Sequence, residues 1–368
     1  MMTNWLSFDD ICLELEKHFD DIDKIRLCSV SKCMTRLKNI FSYDDFIDLN
    51  KISNLSIKDR FTNILFPLNM DISQLPKNMK KIEIHMNGTS FDDVQKISKN
   101  MFDINHPINK NIQISLVLEG NFMNYESFPE FPKNLISLRL DFRAYLCKVI
   151  IPDSVIHLIF GDHFNRIVTI PNSVTHLTFG FHFNQIVKIP DSVIYLKFGF
   201  LFGQSVTIPI SVTHLTFGYA FNQIVTIPNS VTHLTFGVAF NQIVTIPNSV
   251  THLAFGYSFN QPITIPDSVT HLVFGDAFNQ IVTIPNSVTH LAFGYSFNQS
   301  ITIPDSVTHL VFGNIFDKII TIPDSVVELK LGIYYNQPIT ISKTVILTFG
   351  THNQSSLLST INGKIIFK

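Results

Sequence analysis

The sequence predicts a parallel β-solenoid, a stack of short coils in which each coil adds one strand to a common sheet. Ten prolines recur at a strict spacing of nineteen residues, from Pro152 to Pro323. A fixed short period predicts that every unit takes the same place in a stacked array. Each coil of such an array contacts only its neighbours, so a chain of 368 residues needs no single large core.

Comparison of the units with one another predicts which side chains face the core. One unit, Ile227 to Thr245, reads IPNSVTHLTFGVAFNQIVT. Its segment from His233 to Phe236 alternates outward and inward residues, which is typical of a short strand. The column of Ile243 varies between Ile, Ser and Pro and is expected outside. The columns that stay apolar are expected inside, and they are those of Val231, Leu234, Phe236, Phe240, Val244 and Ile246.

Three residue types are expected to shape the turns of each coil. The Ile-Pro step that opens a unit fits an extended corner, because proline lacks the donor that a central strand needs. The glycine at Gly237 is expected to permit backbone angles that other residues resist. The Asn241 column carries donors and an acceptor that can satisfy turn backbone between coils, and Gly203 and Asp317 interrupt this column.

Composition argues against several classes of protein. The net charge is −2 and charged residues make up 15% of the chain, so no basic surface for nucleic acid is expected. The N-terminus has no signal-peptide pattern and no run is long enough for a membrane helix, so we expect a soluble protein of the cytoplasm or nucleus. A reduced, intracellular protein is also indicated because no CxxC pair occurs among Cys12, Cys28, Cys33 and Cys147.

No catalytic constellation emerges from the sequence. The acidic residues of the regular units occupy a corner column, where Asp267 and Asp305 alternate with Asn248 and Asn286. A catalytic acid would not be exchangeable in this way. A phosphate-binding loop, a nucleophile elbow and a zinc spacing are also missing. We therefore expect no enzymatic activity, no cofactor and no metal.

The N-terminal part of the chain has a different pattern. Apolar residues follow three- and four-residue steps in the first fifty residues, which predicts a small helical domain at 1–50. Two segments, Leu75 to Met79 and Phe131 to Leu135, look like degenerate copies of Ile-Pro-Asn-Ser-Val. The predicted organisation is completed by degenerate repeats at 51–130, a regular solenoid at 131–350 and a C-terminal cap at 351–368.

A column of histidines marks the outward side of the predicted strands. Tyr195 interrupts the column and Glu328 ends it. One histidine per strand gives a flat line with steps of about 4.8 Å, which is poor geometry for a metal site. Either the residue simply fits a repeated exposed position, or neutral imidazoles contact a target. The histidines assigned to target contact are His214, His233, His252, His271 and His290.

A second column, directly after each glycine, varies more than any other. It contains Asp162, Val238, Asp276, Asn314 and Ile333 besides five aromatic residues. Aromatic residues are enriched where interfaces derive most of their binding energy. The alternative is that some of these rings fold over the turn as extra core. The aromatic candidates for target binding are Phe181, Phe200, Tyr219, Tyr257 and Tyr295.

Taken together, these motifs resemble a known repeat family. The tandem sequence IPNSVTHLTFG followed by FNQ resembles the FNIP repeat, a relative of leucine-rich repeats known from social amoebae and from giant viruses of amoebae. The resemblance covers roughly Phe131 to Gly350. It implies a leucine-rich-repeat-like solenoid of nineteen-residue repeats that is mainly β.

The N-terminal segment resembles a second family. Residues Asp23 to Lys32 are similar to the second half of an F-box, although Ser7 and Phe8 stand where Leu-Pro is usual. The combination implies a protein that binds a Skp-type adaptor through the helical domain and holds a target protein on the repeats, as the receptor of a cullin-RING ubiquitin ligase. The residues implied in adaptor contact are Phe8, Ile11, Leu15, Ile25, Val30 and Lys32.

Two other functions remain open at this point. The N-terminal helices can instead form a structural cap, in which case the chain is a plain interaction scaffold unrelated to ubiquitination. The repeats can also associate edge to edge, because the last unit, from Ser342 to Gly350, is irregular and caps the sheet poorly.

Overall fold

A computed structural model of the chain is mainly β. It forms two compact units, Met1–Leu158 and Ile159–Lys368. The predicted adaptor contacts in the first 32 residues lie outside the described part of the chain. The structure describes residues 24, 43–55, 58–66, 75–87, 112–121, 131, 134–143, 149–340, 345–349 and 365–367.

The first unit is built on five parallel strands. They are β1 (Tyr43–Asp48), β2 (Phe61–Phe66), β3 (Lys81–Asn87), β4 (Gln113–Asn121) and β5 (Leu135–Arg143), each paired with the next. Two short helical elements are defined among the described residues of this unit. They are α1 (Leu49–Ile52) and a 3-10 turn at Lys58–Arg60. The helical domain predicted over 1–50 is therefore not supported, because residues 43–48, the longest described stretch in that range, form strand β1.

The core of the first unit lies under the inward side chains of these strands. Ile82, Ile114 and Leu138 are almost fully buried. Leu75 and Met79, which precede β3, are buried as well. This placement is the one expected of a degenerate Ile-Pro-Asn-Ser-Val copy leading into a strand.

The second unit is built on short parallel strands. Strand β6 (His157–Phe160) crosses the boundary between the units. The regular strands are β7 (His176–Thr178), β8 (Tyr195–Lys197), β9 (His214–Thr216), β10 (His233–Thr235), β11 (His252–Ala254), β12 (His271–Val273), β13 (His290–Ala292) and β14 (His309–Val311). The later strands are β15 (Ile320–Thr321), β16 (Glu328–Leu331), β17 (Ile339–Thr340), β18 (Val345–Phe349) and β19 (Ile365–Phe367).

The pairing in this unit is parallel and in register by repeat. His233 of β10 is opposite His214 of β9 on one side and His252 of β11 on the other. The same ladder runs from β7 to β14 and continues through β16, β18 and β19. A separate pairing joins β15 and β17. The predicted parallel solenoid is confirmed.

The inward and outward columns follow the prediction. Phe236 and Phe240 are 2% and 0% exposed, whereas Ile243 is 75% exposed. Val244, between Ile243 and Thr245, is buried. Each coil therefore contributes two phenylalanine rings to a continuous aromatic core, and the Ile243 column lies on the surface.

The glycine at the end of each strand is required for a reason other than the predicted one. A Cβ on Gly237 would overlap the carbonyl oxygen of Gly218 in the preceding coil, and Gly256 stands in the same relation to Gly237. The backbone at these positions does not lie in the left-handed region. Close approach between coils, and not unusual backbone angles, thus excludes a side chain here.

The asparagine column joins successive turns as expected. Oδ1 of Asn241 accepts hydrogen bonds from the backbone N–H of Asn260 at 2.9 Å and from Nε2 of Gln261 at 3.2 Å. Asp317 keeps this function, because its Oδ1 accepts from the backbone N–H of Asn336 at 2.8 Å. Gly203 has no side chain to continue the ladder, but its carbonyl oxygen accepts from Nε2 of Gln223 at 2.9 Å.

Spacing between equivalent rings widens from the strand side of a coil to its turn side. His233 and His252 have ring centroids 4.2 Å apart. The equivalent distance is 5.4 Å from Phe236 to Phe255 and 6.1 Å from Phe240 to Phe259. Rings in each column are nearly parallel, and the histidine rings are the most closely stacked of the three columns.

Candidate functional site

The strand face of the second unit carries a continuous stack of imidazole rings. From His214 to His309, neighbouring ring centroids are 4.2–4.3 Å apart and their planes differ by 8–12°. Tyr195 takes one place in the stack, 4.5 Å from His176 and 4.3 Å from His214. At the other end, Nε2 of His309 lies 3.7 Å from a carboxylate oxygen of Glu328.

The residue before most of these histidines orients the ring. Oγ1 of Thr251 lies 2.9 Å from Nδ1 of His252, and Nδ1 of His233 has the same contact with Thr232. The hydroxyl engages Nδ1, which leaves Nε2 as the ring nitrogen that can meet a partner molecule. The pairs with this contact are Thr175–His176, Thr213–His214, Thr232–His233, Thr251–His252, Thr270–His271, Thr289–His290 and Thr308–His309.

Burial against the sheet lowers the pKa of His214, His233, His252, His271 and His290 below the ordinary value of 6.5. The charge of other histidines in the stack lowers these pKa values further, but it is the smaller cause. At pH 7 these five rings are therefore neutral, and the Nε2 that each leaves free donates or accepts one hydrogen bond according to the tautomer of the ring.

The aromatic column after the glycines forms a second stack at one end of the unit. Phe200 is stacked between Phe181, at 4.5 Å, and Tyr219, at 4.3 Å. These three rings are 40%, 38% and 45% exposed in the order Phe181, Phe200 and Tyr219, so they are surface residues and not extra core. Tyr257 and Tyr295 are also exposed but stand apart, because Val238 and Asp276 occupy the intervening places.

Several exposed residues near these stacks were missed by the sequence analysis. Ile194 and Leu201 are 37% and 38% exposed, and Ile210 is 83% exposed. Lys197 lies on the outward side of β8. The signal that could have identified them is their departure from the repeat, since most equivalent places in other coils hold threonine, alanine, serine, asparagine or aspartate.

The first unit has a groove of its own, of about 310 Å³. It lies on the outward side of the strands, where the polar lining includes Lys81, Glu83, Ser115 and Ser137. The ring of Phe46 borders it. Glu83 also contacts the ring of His85. No feature of the sequence had indicated this groove.

Two further features are absent from the described residues, a cluster of metal ligands and a membrane-spanning helix. No three side chains from histidine, cysteine, aspartate or glutamate are grouped to hold a metal ion in the part of the chain that the structure describes. Among the same residues, no helix has the length and apolar character needed to cross a membrane.

Stacked nineteen-residue coils with one parallel strand each define a leucine-rich-repeat-like solenoid. The FNIP Repeat model matches eight overlapping segments, at residues 144–182, 164–201, 202–239, 223–258, 240–276, 259–296, 278–315 and 297–334. These segments cover more than half of the 368 residues, and the chain belongs to the FNIP repeat family. The match does not extend to the F-box-like segment at residues 23–32.

A solved structure supports the same fold. The crystal structure of CroV588, described as a novel circular LRR protein, is 29% identical to this chain with a TM-score of 0.57. The similarity covers 86% of this chain and 68% of CroV588. No curated protein matches the chain.

Proposed function

We propose that the repeat domain is a protein-recognition module whose strand face and adjoining aromatic residues hold a partner protein. The observation that carries the proposal is the stacked histidine column, which is regular and partly exposed and in which five rings are neutral at pH 7. Preformed rings lose little freedom on binding, which favours affinity. Neighbouring rings from His214 to His309 are 4.2–4.3 Å apart, so a partner on this face contacts several coils at once.

Affinity capture with matched surface variants tests this proposal. One full-length variant carries His233→Glu, His252→Glu and His271→Glu on the strand face. A control carries Ile224→Glu, Ile243→Glu and Ile281→Glu, at positions that are 75–81% exposed on another side of the coil. We expect partner proteins captured by the wild type from an amoebal extract to be lost by the first variant and kept by the second. Equal capture by all three chains would contradict the proposal.

A second function rests on the N-terminal resemblance. We infer that residues 1–50 bind a Skp-type adaptor, so that the chain acts as the target receptor of a cullin-RING ubiquitin ligase. The support is the similarity of Asp23 to Lys32 to the second half of an F-box. The rival is a scaffold whose N-terminal residues only cover the end of the solenoid.

Binding of purified adaptor to the full-length chain separates these two functions. The variant Ile25→Glu with Val30→Glu should lose adaptor binding while the melting temperature of the solenoid stays unchanged. A structural cap predicts the reverse, namely a lower melting temperature, because the terminal units of a solenoid need a polar cover. The strand-face variant serves as a control, since it should bind the adaptor like the wild type.

A further inference from the structure

One coil of the second unit differs from the others mainly on its surface. The coil Ile189 to Thr207, hereafter the divergent coil, reads IPDSVIYLKFGFLFGQSVT. Its core residues keep their types, and Leu196, Phe198 and Phe202 are 2%, 1% and 0% exposed. We compare this coil with the unit Ile227–Thr245. On the strand side, five of its residues are larger than their counterparts or add a charge, namely Ile194, Tyr195, Lys197, Phe200 and Leu201.

Most of these changes bring a large apolar side chain to the surface. Tyr195 is 42% exposed, and Ile194, Phe200 and Leu201 are 37–38% exposed. Their counterparts in the unit Ile227–Thr245 are His233, Thr232, Val238 and Ala239. An apolar cluster that adds nothing to the core costs solubility, and clusters of this kind mark interaction sites.

The cluster is held rigid by the neighbouring coils. Tyr195 is stacked between His176 and His214, and Phe200 is stacked between Phe181 and Tyr219, all at 4.3–4.5 Å. The backbone N–H of Leu201 donates to the carbonyl oxygen of Phe181 at 2.9 Å. Tyr195 and Phe200 are five residues apart, a reach of at most about 17 Å. Two ordered aromatic surfaces thus flank one short strand.

A single positive charge lies between these two surfaces. Lys197 is on the outward side of β8, where its neighbours on the adjacent strands are Thr178 and Thr216. The structure describes residues 149–340 without a gap. Over β7 to β14 the outward positions hold histidine, threonine, alanine, valine, Tyr195 and Lys197, so among these described strands Lys197 is the one lysine, arginine, aspartate or glutamate in the outward columns.

We propose that the divergent coil is the anchoring site for a partner protein and that this partner presents an aromatic or long aliphatic side chain next to a carboxylate. The apolar side chain packs against the rings of Tyr195 and Phe200, and the carboxylate pairs with Lys197. The inference rests on the protein-recognition function proposed above and gives the partner its chemistry. Uniform coils would accept a partner in several registers, whereas the divergent coil distinguishes one register among the coils that contribute β7 to β14. The coil Ile322–Thr340 also has a lysine, Lys330, but Glu328 stands there in the place of Tyr195.

The sequence itself supplies a reversion variant that should fold. Each substitution in the set Ile194→Thr, Tyr195→His, Lys197→Thr, Phe200→Val and Leu201→Ala installs the residue that the unit Ile227–Thr245 carries at the same place. The melting temperature should therefore stay close to that of the wild type. A control variant, Ile224→Ser with Ile243→Ser, removes exposed apolar side chains from two other coils, in a column that lies outside the proposed binding face and already holds Ser205 and Ser300.

The test uses a phage-displayed library of twelve-residue peptides selected on the full-length wild-type chain. We expect enriched peptides with an aromatic or long aliphatic residue close to aspartate or glutamate. The reversion variant should bind them at least about tenfold more weakly, as for loss of an interface hot spot, and the control variant should bind them like the wild type. Lys197→Glu alone should disfavour the acidic peptides.

The outcomes separate this inference from the broader function. Enriched peptides that bind the reversion variant as well as the wild type would overturn the anchoring site and leave protein recognition standing. Peptides that lack acidic residues would overturn the assigned partner chemistry. Absence of any enrichment would count against both proposals.

Discussion

Oγ1 of Thr251 lies 2.9 Å from Nδ1 of His252 and 3.1 Å from the carbonyl oxygen of Thr232 in the preceding coil. One hydroxyl thus joins a ring to the backbone of the neighbouring strand. Because the pair recurs coil after coil, the imidazoles are fixed in orientation before any partner arrives. This fixation is what makes the column a surface of defined chemistry.

Acidification should destabilise the folded chain through this column. Folding lowers the pKa of the five histidines below 6.5, first by burial and then by the charge of other histidines in the column. The folded state therefore binds fewer protons than the unfolded state. The stability that these groups contribute is present above pH 6.5 and is lost as the pH falls through the folded pKa values. Urea midpoints measured from pH 8 to pH 5 check this expectation.

A matched variant isolates the contribution of the histidine column. His233→Asn, His252→Asn and His271→Asn together should flatten the dependence of the urea midpoint on pH between 6.5 and 5. NMR titration of the ring resonances provides a second readout. If all five rings instead titrate together at the ordinary histidine pKa of 6.5, stacking does not perturb their pKa values.

Removal of a core ring should be costly, whereas removal of an outward isoleucine should not. Phe240→Ala leaves a cavity between rings that are 6.1 and 6.2 Å from it, and such truncations cost about 3–5 kcal/mol of unfolding free energy. Ile243→Ser should be nearly neutral because Ser205 and Ser300 already occupy that column. Denaturant melts of the two variants give the comparison, and equal losses would reverse the assignment of inside and outside.

A methyl group on a strand-end glycine should disrupt the stacking of coils. Gly237→Ala forces a Cβ into the backbone of Gly218, and overpacking of this kind costs about 1–3 kcal/mol. Gly203→Ala is the control, because the nearest atom to its Cβ would be 3.8 Å away. A lower melting temperature is expected for the first variant alone. If Gly237→Ala and Gly203→Ala have equal melting temperatures, neighbouring coils can move apart at the glycine column at little cost.

The last ring of the core column carries a hydroxyl that the earlier coils lack. Tyr335 stands 6.0 Å from Phe316 and is 2% exposed. Its hydroxyl is buried and has no hydrogen-bond partner among the described residues, and burial raises its pKa to about 12. Tyr335→Phe should therefore raise the unfolding free energy by about 1–3 kcal/mol. A lower urea midpoint for Tyr335→Phe than for the wild type would indicate that the Tyr335 hydroxyl has a hydrogen-bond partner.

Much of the repeat domain could be predicted because each position is sampled ten times. The Phe240 column is invariant in most coils and the Ile243 column varies. This difference alone identifies the first column as buried and the second as exposed, without any knowledge of the fold. The strand at His233 and the ladder at Asn241 follow from the same comparison. The different ring spacings of the columns could not be predicted, because they result from how rings and backbone pack together.

The surface was harder to predict than the core. Val238 and Asp276 interrupt the aromatic column, so Tyr257 and Tyr295 stand apart from the stack that Phe200 forms with its two neighbours. Averaging over repeats also hid Lys197 and Leu201, whose meaning lies in their difference from the other coils. At the N-terminus, one copy of a strand such as Tyr43–Asp48 has no repeats to compare and was assigned to a helical domain.

The backbone contact between Gly237 and Gly218 has a consequence for how such a chain can change its length. Main-chain atoms set the separation of coils at this column, so the step is the same whatever side chains surround it. Loss or gain of nineteen residues removes or adds one complete step and leaves every remaining junction as it was. Duplication of a repeat can therefore extend the strand face in increments of one strand, about 4.8 Å along the sheet.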